Sequence, residues 1–95
     1  MNLTSPQTIK TLLEKYGFSP KKRLGQNFLI DKNILDKIIK AGEIKKNDMV
    51  IEVGPGLGVL TQELAKRARN IIAVEKDKKT REILNDVLKN FSNIE

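Results

Sequence analysis

Cysteine, histidine and tryptophan are all missing from this 95-residue chain. Without Cys or His there is no disulfide framework, no structural zinc site, no thiol nucleophile and no imidazole base. Any chemistry must rest on carboxylates, amides, hydroxyls, amines and backbone groups, and no metal is expected. Aromatic residues are scarce, with one Tyr and three Phe, and no stretch sets Phe against a Lys-rich face in the manner of a membrane-surface helix. No apolar run approaches the roughly 20 residues that span a bilayer. The start, Met1-Asn2-Leu3-Thr4-Ser5-Pro6, has neither the basic region nor the apolar stretch of a secretion signal. These absences predict a cytoplasmic location. Length bounds the rest: a chain of this size buries only about 60–65% of the surface its unfolded form exposes, enough for one small core.

Basic charge is what the chain has in excess, with 18 Lys and Arg against 12 Asp and Glu and a net charge of +6. The excess lies in front. Residues 1–48 hold ten basic and five acidic side chains, residues 49–95 eight and seven. A basic lobe beside a nearly neutral one points to a polyanionic partner, nucleic acid before membrane. Taken on charge alone, a solvated surface is the competing reading.

Ser5-Pro6 is a helix start, with Ser5 able to cap and Pro6 in the first turn, where its missing N–H costs nothing. Ile9, Leu12, Leu13 and Tyr16 then share one helical face, which Gly17 can end. Residues 18–27 read as irregular, with Pro20, the cluster Lys21-Lys22-Arg23 and Gly25-Gln26-Asn27. Asp31 is the next expected cap, followed by an apolar stripe of Ile34, Leu35, Ile38 and Ile39 that closes at Ala41-Gly42. Met49-Val50-Ile51-Glu52-Val53 predicts a buried strand entering a glycine loop. Leu60, Leu64 and Ala68 mark a helix, Ile71-Ile72-Ala73-Val74 a second buried strand, and Ile83, Leu84, Val87 and Leu88 another helix. That alternation predicts an α/β fold with a parallel sheet. Residues 91–95 read as the approach to a third strand. The first strand of an open doubly wound sheet normally has neighbours on both sides, and only one is present. The other side would be a row of unpaired backbone groups, so the chain reads as the amino-terminal piece of a longer protein.

In Glu52-Val53-Gly54-Pro55-Gly56-Leu57-Gly58, three alternate glycines follow a strand and lead into a helix. Glycine lets the backbone turn sharply and lets a ligand approach without a Cβ in the way. Glu75 abuts the second apolar run, about where nucleotide-binding folds place a carboxylate for ribose hydroxyls. Asp77 is its nearby competitor. Both a nicotinamide nucleotide and S-adenosylmethionine fit these features. The loop separates them, because no glycine completes G-x-G-x-x-G and Glu52 would bring negative charge towards a pyrophosphate. A sulfonium ligand with an amino group tolerates or favours Glu52. Gln26 and Asn27 by themselves are two amides on a Gly-initiated turn, for which local backbone capping is the simplest role.

The pattern E-x-G-x-G-x-G resembles motif I of the class I S-adenosylmethionine-dependent methyltransferases. Lys22-Arg23-Leu24-Gly25-Gln26-Asn27-Phe28-Leu29 with Asp31 resembles the signature at the front of the KsgA-type ribosomal RNA dimethyladenosine transferases. The likeness runs from about Lys21 to Glu75 with the same spacing. The related antibiotic-resistance methyltransferases of the large subunit typically carry Ser before Gln-Asn-Phe and Ser in place of Pro55. The resemblance implies a Rossmann-like class I methyltransferase fold, its parallel sheet incomplete and preceded by amino-terminal helices. It divides the chain into a helical segment, 1–48, and the first part of an S-adenosylmethionine-binding α/β domain, 49–95. Gln26, Asn27 and Leu29 would line the cofactor pocket, with Glu52, Gly54, Gly56 and Gly58 approaching the methionine portion and Glu75 holding the ribose. Lys21, Lys22 and Arg23 would face RNA of the small ribosomal subunit, positioning it without selecting sequence. The family's further parts are an acidic residue for the adenine, an Asn-[Leu/Ile]-Pro-Tyr motif for the substrate base and a helical carboxyl-terminal domain. None occurs here, so no catalytic residue is expected in this chain. Two alternatives stand beside this reading: another Rossmann-like enzyme, either a small-molecule methyltransferase or a dehydrogenase, and a non-catalytic RNA-binding relative.

Overall fold

A computed structural model describes residues 2–17 and 32–95. Helix α1, Pro6–Lys15, starts where Ser5 accepts a hydrogen bond from the Thr8 amide and ends before Gly17, whose φ of +61° suits glycine. Helix α2 is Lys32–Gly42, strand β1 Met49–Val53, helix α3 Val59–Ala65, strand β2 Asn70–Val74 and helix α4 Lys78–Val87. The expected cap Asp31 lies outside the described residues. Helix α3 is shorter than its apolar spacing implies. Ala68 falls in the turn beyond it, yet stays buried, and the Asn93 side chain donates to the Ala65 and Ala68 carbonyls that the helix end leaves over.

β1 and β2 pair in parallel, Val50 opposite Ile71 and Val53 opposite Val74. On the far side of β2 a third strand begins as expected: Ile71 bridges Ile94, and its amide donates to the Asn93 carbonyl at 2.8 Å. The outer edge of β1 has no described partner.

The apolar runs predict strands buried on both faces, and here the structure corrects them. Val50 and Ile71 pack with Leu64, Ala65 and Ala68 of the α3 region. Alternation turns Met49, Ile51 and Val53 to the opposite face, where they are 64%, 66% and 80% exposed. Val74 shares that face and is exposed too. The stripe on α2 needs a similar correction. Only Leu35 is buried and Ile39 partly so, while Ile34 and Ile38 face solvent, because the contact made by α2 is narrower than its apolar stripe.

The amino-terminal helices share the core of the α/β part. Ile9, Leu12 and Leu13 of α1 and Leu35 of α2 cluster with Leu57, Val59, Ile83, Leu84, Val87 and Leu88. This contact seats α1 against α4 and behind the glycine loop.

Candidate functional site

The pairing register builds the site. Because Val53 lies opposite Val74, the chain leaves β1 at Gly54 and β2 at Glu75 side by side, at the carboxyl edge of the sheet, where open α/β sheets bind ligands. The Gly54 amide donates to the Val74 carbonyl at 2.9 Å, extending the ladder one step into the loop.

Gly54, Gly56 and Gly58 have φ of +69°, +60° and +89°, left-handed values at which side chains are strained. Two of them differ in what lies beside them. Among the described residues a Cβ on Gly54 would meet nothing within 4 Å, whereas one on Gly58 would stand 3.0 Å from Leu84 Cδ2 and 3.4 Å from Leu88 Cδ2. Gly58 is buried, donates its amide to Pro55 O and accepts from the Gln62 amide. Among the described residues, then, space lies open at Gly54, while Gly58 packs closely on α4. Leu57, 2% exposed, pins the middle of the loop into the core.

Glu52 lies on the covered face of β1, opposite Ala73. Its Oε1 accepts a hydrogen bond from Thr61 Oγ1 at 2.5 Å, and Thr61 is fully buried on α3. Burial pushes the Glu52 carboxyl above the ordinary value, and the hydroxyl offsets part of that rise. Thr61 escapes sequence reasoning as a site residue. Its signal is a hydroxyl at an otherwise apolar helix position, one turn before Leu64.

Glu75 is half-buried and held: its Oε2 accepts from the Asp77 amide at 3.0 Å, while Arg81 Nη1 donates to the Glu75 and Lys76 carbonyls. One carboxylate oxygen is thus fixed by the backbone, and the other accepts from no side chain or amide among the described residues. The competitor Asp77 is engaged in capping α4, accepting from the Thr80 amide and, at 2.6 Å, from its hydroxyl. A groove of about 370 Å³ takes in Glu75, Ala73, Arg81 and Phe91 but none of Glu52 or the loop glycines, so it is not the space that spans the two strand ends. Gln26, Asn27, Leu29, Lys21, Lys22 and Arg23 lie outside the described residues.

Among the described residues this arrangement sets the glycine loop beside the Glu75 carboxylate at the carboxyl edge of the sheet, with the Glu52 carboxylate beneath it against Thr61. Among the described residues no three His, Cys, Asp or Glu converge as a metal site, and no helix is long and apolar enough to cross a membrane.

Comparison with known proteins agrees with this geometry. A ribosomal RNA small subunit methyltransferase A from Bacillus pumilus is 50% identical over 93 residues, which are 98% of this chain and 32% of the relative. The chain spans about a third of the length of the curated relatives it matches. A dimethyladenosine transferase from Plasmodium falciparum superposes with a TM-score of 0.64 at 34% identity, covering 68% of this chain and 25% of that one. The 23S rRNA methyltransferase ErmE superposes with a TM-score of 0.68 at 39% identity, covering 73% and 28%. The fold is therefore that of the Rossmann-like methyltransferases, represented by its helices and a small, incomplete parallel sheet. Residues 17–95 match the family described as ribosomal RNA adenine dimethylase, and the chain belongs to that family.

Proposed function

We propose that the chain is the amino-terminal, cofactor-binding part of a cytoplasmic enzyme that dimethylates adenosines of small-subunit ribosomal RNA with S-adenosylmethionine. The observation that carries this reading is the register that sets Gly54 beside Glu75, with open space at Gly54 and one Glu75 oxygen left to accept among the described residues. Glu75 would take the ribose, the loop over residues 54–58 the methionine portion, and Glu52 its positive charge. Gln26, Asn27 and Leu29 would close the pocket from the amino-terminal side, with Lys21, Lys22 and Arg23 towards RNA. Residues 1–48 then form the basic entrance and 49–95 the start of the cofactor-binding domain. The cofactor supplies the methyl group as a sulfonium. The chain's own residues bind and orient it, so that transfer to a positioned adenine amine gains from alignment. Small-subunit RNA is favoured over large-subunit RNA by the name of the 50%-identical relative and by Gly25 and Pro55.

The test is calorimetric titration of the full-length protein with S-adenosylmethionine and with NAD, followed by incubation with labelled cofactor and unmethylated small subunits. Binding of the first cofactor alone, with label appearing in small-subunit RNA, is expected. Binding of NAD alone would replace this reading with that of a dehydrogenase. The 95-residue chain by itself should transfer no label.

A further inference from the structure

Glu52 and Thr61 stand on either side of the glycine loop, and one hydrogen bond joins them across it. Glu52 is the last residue of β1 on the face that α3 covers, two places beyond Val50, which packs with Leu64, Ala65 and Ala68. Thr61 lies in the first turn of α3, fully buried, and its hydroxyl donates to Glu52 Oε1 at 2.5 Å. Between the two residues come Gly54, Gly56 and Gly58, all with left-handed backbone. The loop itself is held by backbone bonds, from the Gly54 amide to Val74 O and from the Gly58 amide to Pro55 O. The side-chain bond thus ties strand to helix around the stretch where glycines leave the chain most freedom.

The chemistry of the pair gives the bond a use beyond packing. Thr80, another fully buried hydroxyl, bonds to the Asp77 cap of its own helix, whereas the partner of Thr61 is nine residues away on the strand. Valine would fill the same space at position 61 and bring no polar group to satisfy, so the hydroxyl has its use through Glu52. Glu52 is half-buried, and among the described residues Thr61 is its hydrogen-bond partner and no Lys or Arg pairs with it. A carboxylate kept in such a place without a cation is costly until a ligand brings one. The Thr61 hydroxyl offsets part of the rise that burial imposes on this carboxyl, and so favours its charged form. It also occupies Oε1, which leaves Oε2 as the oxygen for a cation.

We propose that Thr61 is a positioning residue for the methionine end of the cofactor: its hydroxyl fixes the Glu52 carboxylate at the foot of the glycine loop, so that Oε2 meets the ammonium group of the ligand. The inference rests on the reading that Glu52 takes the positive charge of the methionine portion. Thr61 touches no ligand itself and acts through Glu52.

The experiment measures the affinity of the full-length protein for two ligands: S-adenosylhomocysteine, which has the amino-acid end, and methylthioadenosine, which keeps the nucleoside and lacks that end. The variants are Thr61→Val, Thr61→Ser, Glu52→Gln and the pair Thr61→Val with Glu52→Gln, each measured at a temperature where it is folded by circular dichroism. Glu52→Gln should weaken S-adenosylhomocysteine by about tenfold or more, as expected for a hydrogen bond to a charged group, and leave methylthioadenosine within about twofold. Thr61→Val should weaken S-adenosylhomocysteine by about three- to tenfold, the range for a residue that acts through another, and again spare methylthioadenosine. Thr61→Ser keeps the hydroxyl and should stay within about twofold of wild type for both ligands. The pair should bind no more weakly than Glu52→Gln alone, because the carboxylate to be positioned is gone. Equal loss of both ligands in Thr61→Val, a Thr61→Ser variant as weak as Thr61→Val, or wild-type affinity in Thr61→Val beside a weakened Glu52→Gln would each overturn the role of Thr61 alone. Wild-type S-adenosylhomocysteine affinity in Glu52→Gln would overturn the reading of Glu52, and the inference with it.

Discussion

Two glycines four residues apart in one loop should respond to the same substitution in opposite ways. Gly58→Ala meets two costs. A left-handed backbone is unfavourable for an L-residue by about 1–2 kcal/mol. The new methyl would also lie 3.0 Å from Leu84 Cδ2, inside a core where Leu84 and Leu88 are only 6% and 8% exposed. Forcing extra volume into such packing costs about 1–3 kcal/mol more. Alanine restricts the unfolded chain and returns about 0.4–1 kcal/mol, leaving a net loss of about 1–4.5 kcal/mol. Gly54→Ala meets the backbone cost alone, since its Cβ would touch nothing within 4 Å among the described residues, and should lose about 0–1.5 kcal/mol. Its methyl would instead enter the space from which a ligand approaches, and S-adenosylmethionine affinity should fall by about tenfold or more. Urea denaturation followed by far-UV circular dichroism gives the first quantity and calorimetric titration the second. If Gly58→Ala is as stable as wild type, or Gly54→Ala costs more stability than Gly58→Ala, the division between a packing glycine and a ligand-facing glycine is wrong.

Glu52 should show itself in the pH dependence of stability. Burial raises its carboxyl above the ordinary 4.5, so its contribution is full below that value and is lost as pH rises through the folded pKa. Glu52→Gln retains an acceptor for Thr61 and should gain on wild type as pH rises above that value, while binding S-adenosylmethionine more weakly; parallel stability profiles would refute this. Asp86 has the opposite sign, because Tyr16 and Lys15 hold its carboxyl well below the ordinary 3.8. Its contribution is present at neutral pH and is lost only as pH falls past that value towards the folded pKa. Asp86→Asn should therefore flatten the acid limb of a stability profile, and an unchanged limb would count against that pairing. Glu75→Gln should weaken S-adenosylmethionine by about 1.5–3 kcal/mol and leave RNA affinity nearly unchanged, as read by parallel titrations. Replacing Lys21, Lys22 and Arg23 together with Ala should reduce the salt dependence of RNA binding by roughly 0.7–0.9 in slope for every phosphate the protein no longer neutralises, with cofactor affinity preserved.

The elements that local pattern specifies were legible in the chain. The alternation of apolar runs with the glycine loop predicts β1, α3, β2 and α4 in order, and Glu75 emerges directly after β2 as its place beside the run requires. Ser5, Pro6 and Gly17 mark α1 because caps act within a few residues. What local pattern misses depends on packing between distant parts of the chain. Gly58 looks like its neighbours in the loop until α4, some 26 residues later, is seen against it. Thr61 acquires a role only when α3 folds back over Glu52. Tyr16 and Asp86 are separated by 70 residues, and no periodicity announces the bond between them. The apolar run of β1 gives no sign that one of its faces has no cover among the described residues, since an apolar residue reads alike whether its partner is present or not.

The sheet face left bare among the described residues has a consequence for how such a chain is made. Met49, Ile51 and Val53 face outward on a strand whose outer edge has no described partner, while β2 is hydrogen-bonded on both sides. An open edge backed by exposed β-branched residues is a template for whichever strand arrives first. At a synthesis rate of about 5–20 residues per second, the edge of β1 stays open for seconds after the strand has emerged. Another nascent copy on the same messenger presents the same edge at close range. Production of this segment therefore calls for dilution, low temperature or a chaperone that covers the edge of β1.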